Sequence, residues 1–202
     1  AAMTGVYDDV IERASQLLAE AVLEREDNLQ VLDVDGHLRE LLRAVGLQAT
    51  QRVVDSETTR VLKEAAEDGF VVNRSAVVTV GSLYGELRVS SPYLRRATGD
   101  TARPVRDELG LTHGSKTPTL ERGLTDVGIE DSFGLASSRF EEHYGWKVHR
   151  TSLLRVVHGA AKDALAFVED KLAKEPEAVE PAAYLLLEMD GCDYRFGWGG
   201  ST

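Results

Sequence analysis

Two stretches of helical periodicity flank a single pair of β-rich runs, and this interruption most narrows the folds open to the chain. The runs are Ala76-Val77-Val78-Thr79-Val80 and Glu86-Leu87-Arg88-Val89-Ser90, separated by a segment holding Gly81 and Gly85. Branched residues bounded by glycines predict a β-hairpin. Before it, Val6, Val10, Ile11, Ala14, Leu17, Leu18, Ala21 and Val22 fall on one helical stripe, with Asp8, Asp9 and Glu12 in the early turns. A short helix is expected over 37–44, stopped by Gly46, and a third through Val53, Val61 and Ala66, ended by Gly69. After the hairpin, Pro92, Gly99 and Pro104 predict one loop and residues 110–118 another. Helices resume near Leu120, over 131–144, and over 151–173. An acidic linker follows at 175–181, then an apolar strand, Tyr184-Leu185-Leu186-Leu187-Glu188-Met189-Asp190.

The expected fold class is mainly α (α+β). Four segments compose it: a helical N-terminal region (1–70), a β-hairpin and loop segment (71–118), a helix–turn–helix region (119–175) and a closing strand segment (182–202). No apolar run reaches the roughly 18–20 residues of a membrane span, so no membrane partner is expected. The lone Cys192 excludes an internal disulfide and a multi-cysteine zinc site. With no signal peptide read at the start, the expected location is cytoplasmic.

Charge is unevenly placed. The net value is −11, which disfavours indiscriminate coating of nucleic acid. The acids, however, concentrate at the two ends: residues 1–75 carry −7 and 166–202 carry −5, whereas 76–127 sum to +1 and 128–165 to zero. Residues 146–162 hold Lys147, Arg150, Arg155 and Lys162 and no acid, and residues 92–106 hold Arg95, Arg96, Arg103 and Arg106 against Asp100. A basic centre is a plausible footprint for nucleic acid.

The first of these basic stretches coincides with a helix–turn–helix pattern. Phe133, Ala136, Phe140 and Tyr144 give a helix with one apolar face, broken at Gly145. Trp146 and Val148 can pack in the turn, Thr151 or Ser152 can cap the next helix, and Leu153, Leu154, Val156 and Val157 face inward. That leaves Lys147, His149, Arg150, Ser152, Arg155, His158 and Lys162 as candidate contacts to double-stranded DNA, since the start of such a second helix can enter a major groove. The turn is about two residues longer than the tight form, and Glu141 stands where a small residue would ease the crossing. A plain αα-hairpin with a solvated basic face is the alternative.

Two aspartate motifs invite catalytic readings. Val31-Leu32-Asp33-Val34-Asp35-Gly36 matches the nucleophile motif of haloacid-dehalogenase-type, Mg²⁺-dependent phosphatases, although no βα alternation follows to build their sheet. The simpler reading has Asp35 capping the following helix. Asp190, at the end of an apolar strand, stands where nucleases of the RNase H type place their first metal-binding carboxylate; a turn aspartate is the alternative.

Taken in order, Gly85-Glu86-Leu87-Arg88-Val89, Ser91-Pro92-Tyr93, Leu109-Gly110-Leu111, Arg139-Phe140-Glu141-Glu142-His143-Tyr144-Gly145 and Met189-Asp190-Gly191, with Arg195 and Gly197 after them, carry a resemblance. They resemble the Kra-type insertion-sequence transposases of the DDE (RNase H-like) superfamily, over residues 76–197. The resemblance implies a DNA-binding N-terminal portion that recognises insertion-element ends. It also implies the first strand of a truncated RNase H-like domain, with Asp190 as a catalytic and metal-binding residue. Mg²⁺ is the cofactor of the intact family enzyme. Relatives often have a cysteine-rich segment where residues 94–107 have none, so no zinc site is carried over. Only twelve residues follow Asp190, so the chain as given is expected to lack the later catalytic acids and to hold no metal tightly. The contrasting expectation is a protein–protein module or a regulatory transposase remnant: the stripe Val10, Leu17, Leu18 and Val22 either packs on the chain's own third helix or joins two copies as a homodimer.

Overall fold

The computed structural model describes residues 7–25, 33–112 and 114–174. Over these the protein is mainly helical with small antiparallel sheets, an α+β arrangement. None of the described helices is long and apolar enough to cross a membrane. The chain divides into two compact units, 1–163 and 164–202. The expected segments 1–70 and 71–118 lie in the first, together with most of 119–175. The strand expected at 184–190, Asp190 and the linker before it lie outside the described residues.

Helix α1 (Asp8–Arg25) carries its two expected acids in the first turn, where the positive helix end favours them. The next two helices expected from the sequence are one: α2 runs unbroken over Val34–Glu67. Gly46 does not stop it. A Cβ at this position would lie 2.7 Å from Cδ1 of Tyr84, so the glycine serves close approach of the hairpin tip to α2. The real end is the expected one. Gly69 adopts φ +81°, its N–H donates to the Ala66 carbonyl and the Phe70 N–H to the Ala65 carbonyl, the paired bonds of a Schellman cap.

The hairpin is longer than expected. Strands β2 (Val77–Ser82) and β3 (Gly85–Ser90) pair antiparallel around a turn in which the Ser82 hydroxyl donates to the Gly85 carbonyl and accepts from the Tyr84 N–H. Beyond them β1 (Val71–Arg74) pairs with β4 (Tyr93–Arg95). Arg74 faces Tyr93 in the register in which Val77 faces Ser90, and the Ser91 N–H donates to Ala76 across the gap. The four strands therefore behave as one twisted ribbon. Strand β5 (Thr101–Ala102) and helix α3 (Pro104–Glu108) occupy part of the stretch expected to be loop. Strand alternation puts Leu87 and Val89 inside and Glu86, Arg88 and Ser90 outside. The inner face packs with Val61 of α2, Val105 of α3 and Leu111. Gln51 of α2 both donates to and accepts from the backbone of Arg88, which satisfies part of that strand's edge. Arg60 of α2 bonds Glu108, Glu57 and Glu64, and these carboxylates, Glu108 foremost, raise its pKa above the ordinary arginine value.

Three helices follow: α4 (Pro118–Glu130), α5 (Phe133–Tyr144) and α6 (Arg150–Ala173). Thr117 caps α4 by accepting from the Leu120 N–H, with Pro118 at the first helical position. In the second unit, the described residues 164–174 continue α6, with the Lys171 ammonium over the Phe167 ring.

Candidate nucleic-acid interface

A buried core holds α4, α5 and the first half of α6 together. Leu120, Leu124 and Val127 come from α4, Ala136 and Phe140 from α5, Val148 from the turn and Leu153 from α6. Phe140 stacks on Tyr144 at 4.5 Å and meets Trp146 edge-on at 5.8 Å. Helices α4 and α6 approach closely at Gly128, where a Cβ would lie 2.5 Å from Cγ2 of Val157. The small residue facing the turn is Ser137 of α5, not position 141. Its buried hydroxyl donates to the Val148 carbonyl at 2.5 Å and holds the turn against α5. Glu141 is exposed and stands off the crossing, 3.7 Å from the Lys147 ammonium.

The turn spans residues 145–149, longer than the three or four residues of the tight form. Gly145 closes α5 in the left-handed region at φ +72°. The cap of α6 differs from expectation: neither Thr151 nor Ser152 caps it. The His149 carbonyl accepts from the Ser152 and Leu153 N–H groups, and its Nδ1 accepts from the Thr151 N–H at 3.3 Å.

Six of the expected contacts, Lys147, His149, Arg150, Arg155, His158 and Lys162, are exposed, and Ser152 is half-buried. Leu153 is fully buried and Leu154, Val156 and Val157 are half-buried, so the inward face falls where the spacing put it. Arg155, His158 and Lys162 follow one another at helical spacing on the outward face. His158 sits edge-on to Phe133 at 6.3 Å. Among the described residues, Arg150, Arg155 and Lys162 have no ion-pair partner.

The second basic stretch divides. Arg96 turns to the Phe70 ring, 4.2 Å away, and to Asp68. Arg103 stacks 4.3 Å over the Tyr93 ring and donates to its hydroxyl, and the Arg106 Nε donates to the Leu111 carbonyl. Arg103 and Arg106 reach a cleft of about 640 Å³, together with Lys116, Lys147, His149 and Ser152; Glu86 is the one acid along it. The fold brings Arg103 and Arg106 of one basic stretch to the same opening as Lys147 of the other. What joins them is two backbone bonds and one side-chain bond: the Gly81 N–H donates to the Ser115 carbonyl, the Thr117 N–H donates to the Gly81 carbonyl, and Trp146 Nε1 donates to the Leu83 carbonyl. No pattern in the sequence marks those pairings.

The residues that carry the resemblance have structural tasks where they are described. Ser91 and Pro92 are buried at the ribbon's midpoint, Leu111 joins the core beneath α2, and Phe140 and Tyr144 stack. Arg139 reaches Glu130 at 2.7 Å and Asp131 at 2.9 Å; Asp131 first, then Glu130, raise its pKa above the ordinary value. The two phosphatase candidates lie at the opening of α2, Asp33 at its N-cap position without a side-chain cap bond and Asp35 in its first turn, accepting from the Gly36 N–H. Asp35 is thus not the capping residue. Among the described residues no group of three His, Cys, Asp or Glu side chains is placed to hold a metal ion. No protein-family profile, curated protein or solved structure matches this chain.

Proposed function

We propose that residues 118–163 bind double-stranded DNA with α6 as the reading helix, and that the chain is the DNA-recognising portion of a DDE-type transposase acting at insertion-element ends. One observation carries the DNA reading. The first turn of α6 holds no acid, carries Arg150 and follows Lys147, so cations crowd the positive end of a long helix. Cations are disfavoured there by roughly 0.3–1 kcal/mol each, and an anion docked at the helix start relieves the cost. The transposase part rests on the resemblance of residues 76–197.

If Lys147, Arg150 and Lys162 each neutralise one phosphate, they contribute about −2.7 to the slope of log K against log salt concentration. Fluorescence anisotropy on labelled duplexes from the element's ends, with random duplexes beside them, tests the reading. Binding that weakens in Arg150→Ala and Arg155→Ala supports it. Absence of binding to any duplex at low salt removes it.

A second reading, a protein–protein or dimerisation module, has its own observation. On α1 only Val22 is buried, while Val10, Ile11 and Leu17 stay exposed. The stripe does not pack along its length on the chain's own α2. Light scattering that finds a strict monomer at high micromolar concentration removes the homodimer.

A further inference from the structure

We infer that the cleft between the β-ribbon and the start of α6 grips the phosphate backbone of the duplex, with Arg103, Arg106 and Lys116 as its clamp. This rests on the DNA reading and extends it to residues outside the three-helix segment.

Four observations point to an anionic strand as the occupant. First, charge along the opening is unbalanced: Arg103, Arg106 and Lys116 meet Lys147, with Glu86 as the acid in the lining and Glu141 3.7 Å from the Lys147 ammonium. Among the described residues none of the three clamp residues pairs with a carboxylate; they bond instead to the Tyr93 hydroxyl and to the Leu111 and Gly114 carbonyls, neutral acceptors that leave the charge available. Second, Arg103 is held ready. Its guanidinium lies on the Tyr93 ring at 4.3 Å, and its buried Nε has no hydrogen-bond partner among the described residues. A flat guanidinium fixed this way loses little freedom when it takes a phosphate through two donors.

Third, the two sides of the cleft are fixed to each other. Gly81 exchanges backbone bonds with Ser115 and Thr117 at 2.9 and 2.8 Å, and the absence of a Cβ on Gly81 makes room for Leu120, whose Cδ2 would otherwise sit 2.8 Å away. Two charged walls held at constant separation suit a repeating backbone. Fourth, Lys116 also borders a second hollow of about 470 Å³, where Arg122 and Arg155 stand with Glu121 and Asp163. A path of cations, Lys116 and then Arg155, therefore leads from the ribbon to the outward face of α6. A duplex entered by α6 would present its flanking phosphates along this path.

The experiment measures the salt dependence of duplex binding by the full chain and by Arg103→Gln/Arg106→Gln/Lys116→Gln. Three added phosphate contacts bring the wild-type slope to about −5.4, and the triple variant should return it to about −2.7, on the rule of about −0.9 per contact. Glu86→Gln, which removes the acid without adding bulk, should tighten binding. Circular dichroism and thermal melting check that each variant folds, and Lys116→Gln alone, expected to reduce the slope by about 0.9, stands in if the triple variant does not. Wild-type binding with an unchanged slope in the folded variants overturns the clamp and leaves the α6 reading intact. A wild-type chain that binds no duplex at low salt overturns both. Equal loss of affinity for the single strand and the duplex also overturns it, because the path fits a strand held at a fixed offset from the groove.

Discussion

Trp146 donates its indole N–H to the backbone carbonyl of Leu83 at 2.9 Å, a contact between residues 63 positions apart. It fastens the tip of the β-ribbon to the turn before α6. The same ring meets Phe140 edge-on, so one side chain serves both the three-helix core and the ribbon. Replacing Trp146 by Phe keeps an aromatic ring and removes the donor. The expected loss is about 1 kcal/mol, the usual net worth of one such bond. Urea denaturation measures it, and amide exchange around Leu83 should quicken more than exchange in α2. Unchanged exchange at the ribbon tip would mean that the Gly81 bonds alone hold the junction.

Gly128 sets how closely α4 and α6 pack. An alanine there would put its methyl 2.5 Å from Val157 Cγ2 and 2.9 Å from Leu153 Cδ2. Leu153 is fully buried and cannot swing away. Gly128→Ala should therefore destabilise by about 1–3 kcal/mol despite alanine's better helix propensity. Adding Val157→Ala opens the space and should recover part of the loss. A neutral Gly128→Ala in thermal melting would show that the two helices can separate freely.

Gly46 poses the opposite balance. It lies inside α2, where glycine costs about 1 kcal/mol relative to alanine. A methyl there meets the Tyr84 ring at 2.7 Å. In the wild-type background the clash should cancel or exceed the propensity gain. In Tyr84→Ala the same Gly46→Ala change should stabilise by about 1 kcal/mol. The double-mutant cycle reads the difference directly, and simple additivity would contradict the contact.

That glycine also shows why part of the fold was hidden in the sequence. A glycine after an apolar stripe reads as a helix end, and at Gly69 the reading holds because the chain there turns through positive φ. Gly46 looks the same locally, and its reason is a ring from the hairpin turn 38 residues later. Local pattern was enough for α4, α5 and α6, because Phe140, Leu153 and their neighbours repeat at helical spacing. It was enough for β2 and β3, where alternation survives burial. It was not enough for β1, whose four side chains are all exposed, or for β4, whose three residues with Leu94 alone buried are too short to show a pattern. The outward face of α6 was legible for the same reason as its inward face. The share proposed for Arg103, Arg106 and Lys116 was not, because it depends on backbone bonds at Gly81, whose approach to Leu120 no local pattern marks.

The cations of α6 should divide by their distance from its start. In a helix–turn–helix the first turns of the second helix reach base edges, and later residues reach the backbone. Arg150 opens the helix, Arg155 follows just over one turn on, and Lys162 lies two further turns along the outward face. Lys162→Ala should weaken binding to every duplex alike and reduce the salt slope by about 0.9, the effect of one lost phosphate contact. Arg155→Ala should weaken binding to the cognate duplex more than to a scrambled one. A base contact through two guanidinium donors is worth about 1–3 kcal/mol of discrimination, some tenfold to a hundredfold in affinity ratio. Arg155 is exposed and unpaired among the described residues, so neither its folding nor its neighbours should register the change. Titrations of both variants against both duplexes at several salt concentrations separate the two roles. If Arg155→Ala and Lys162→Ala lose affinity equally on cognate and scrambled DNA, α6 lies along the backbone and reads no bases.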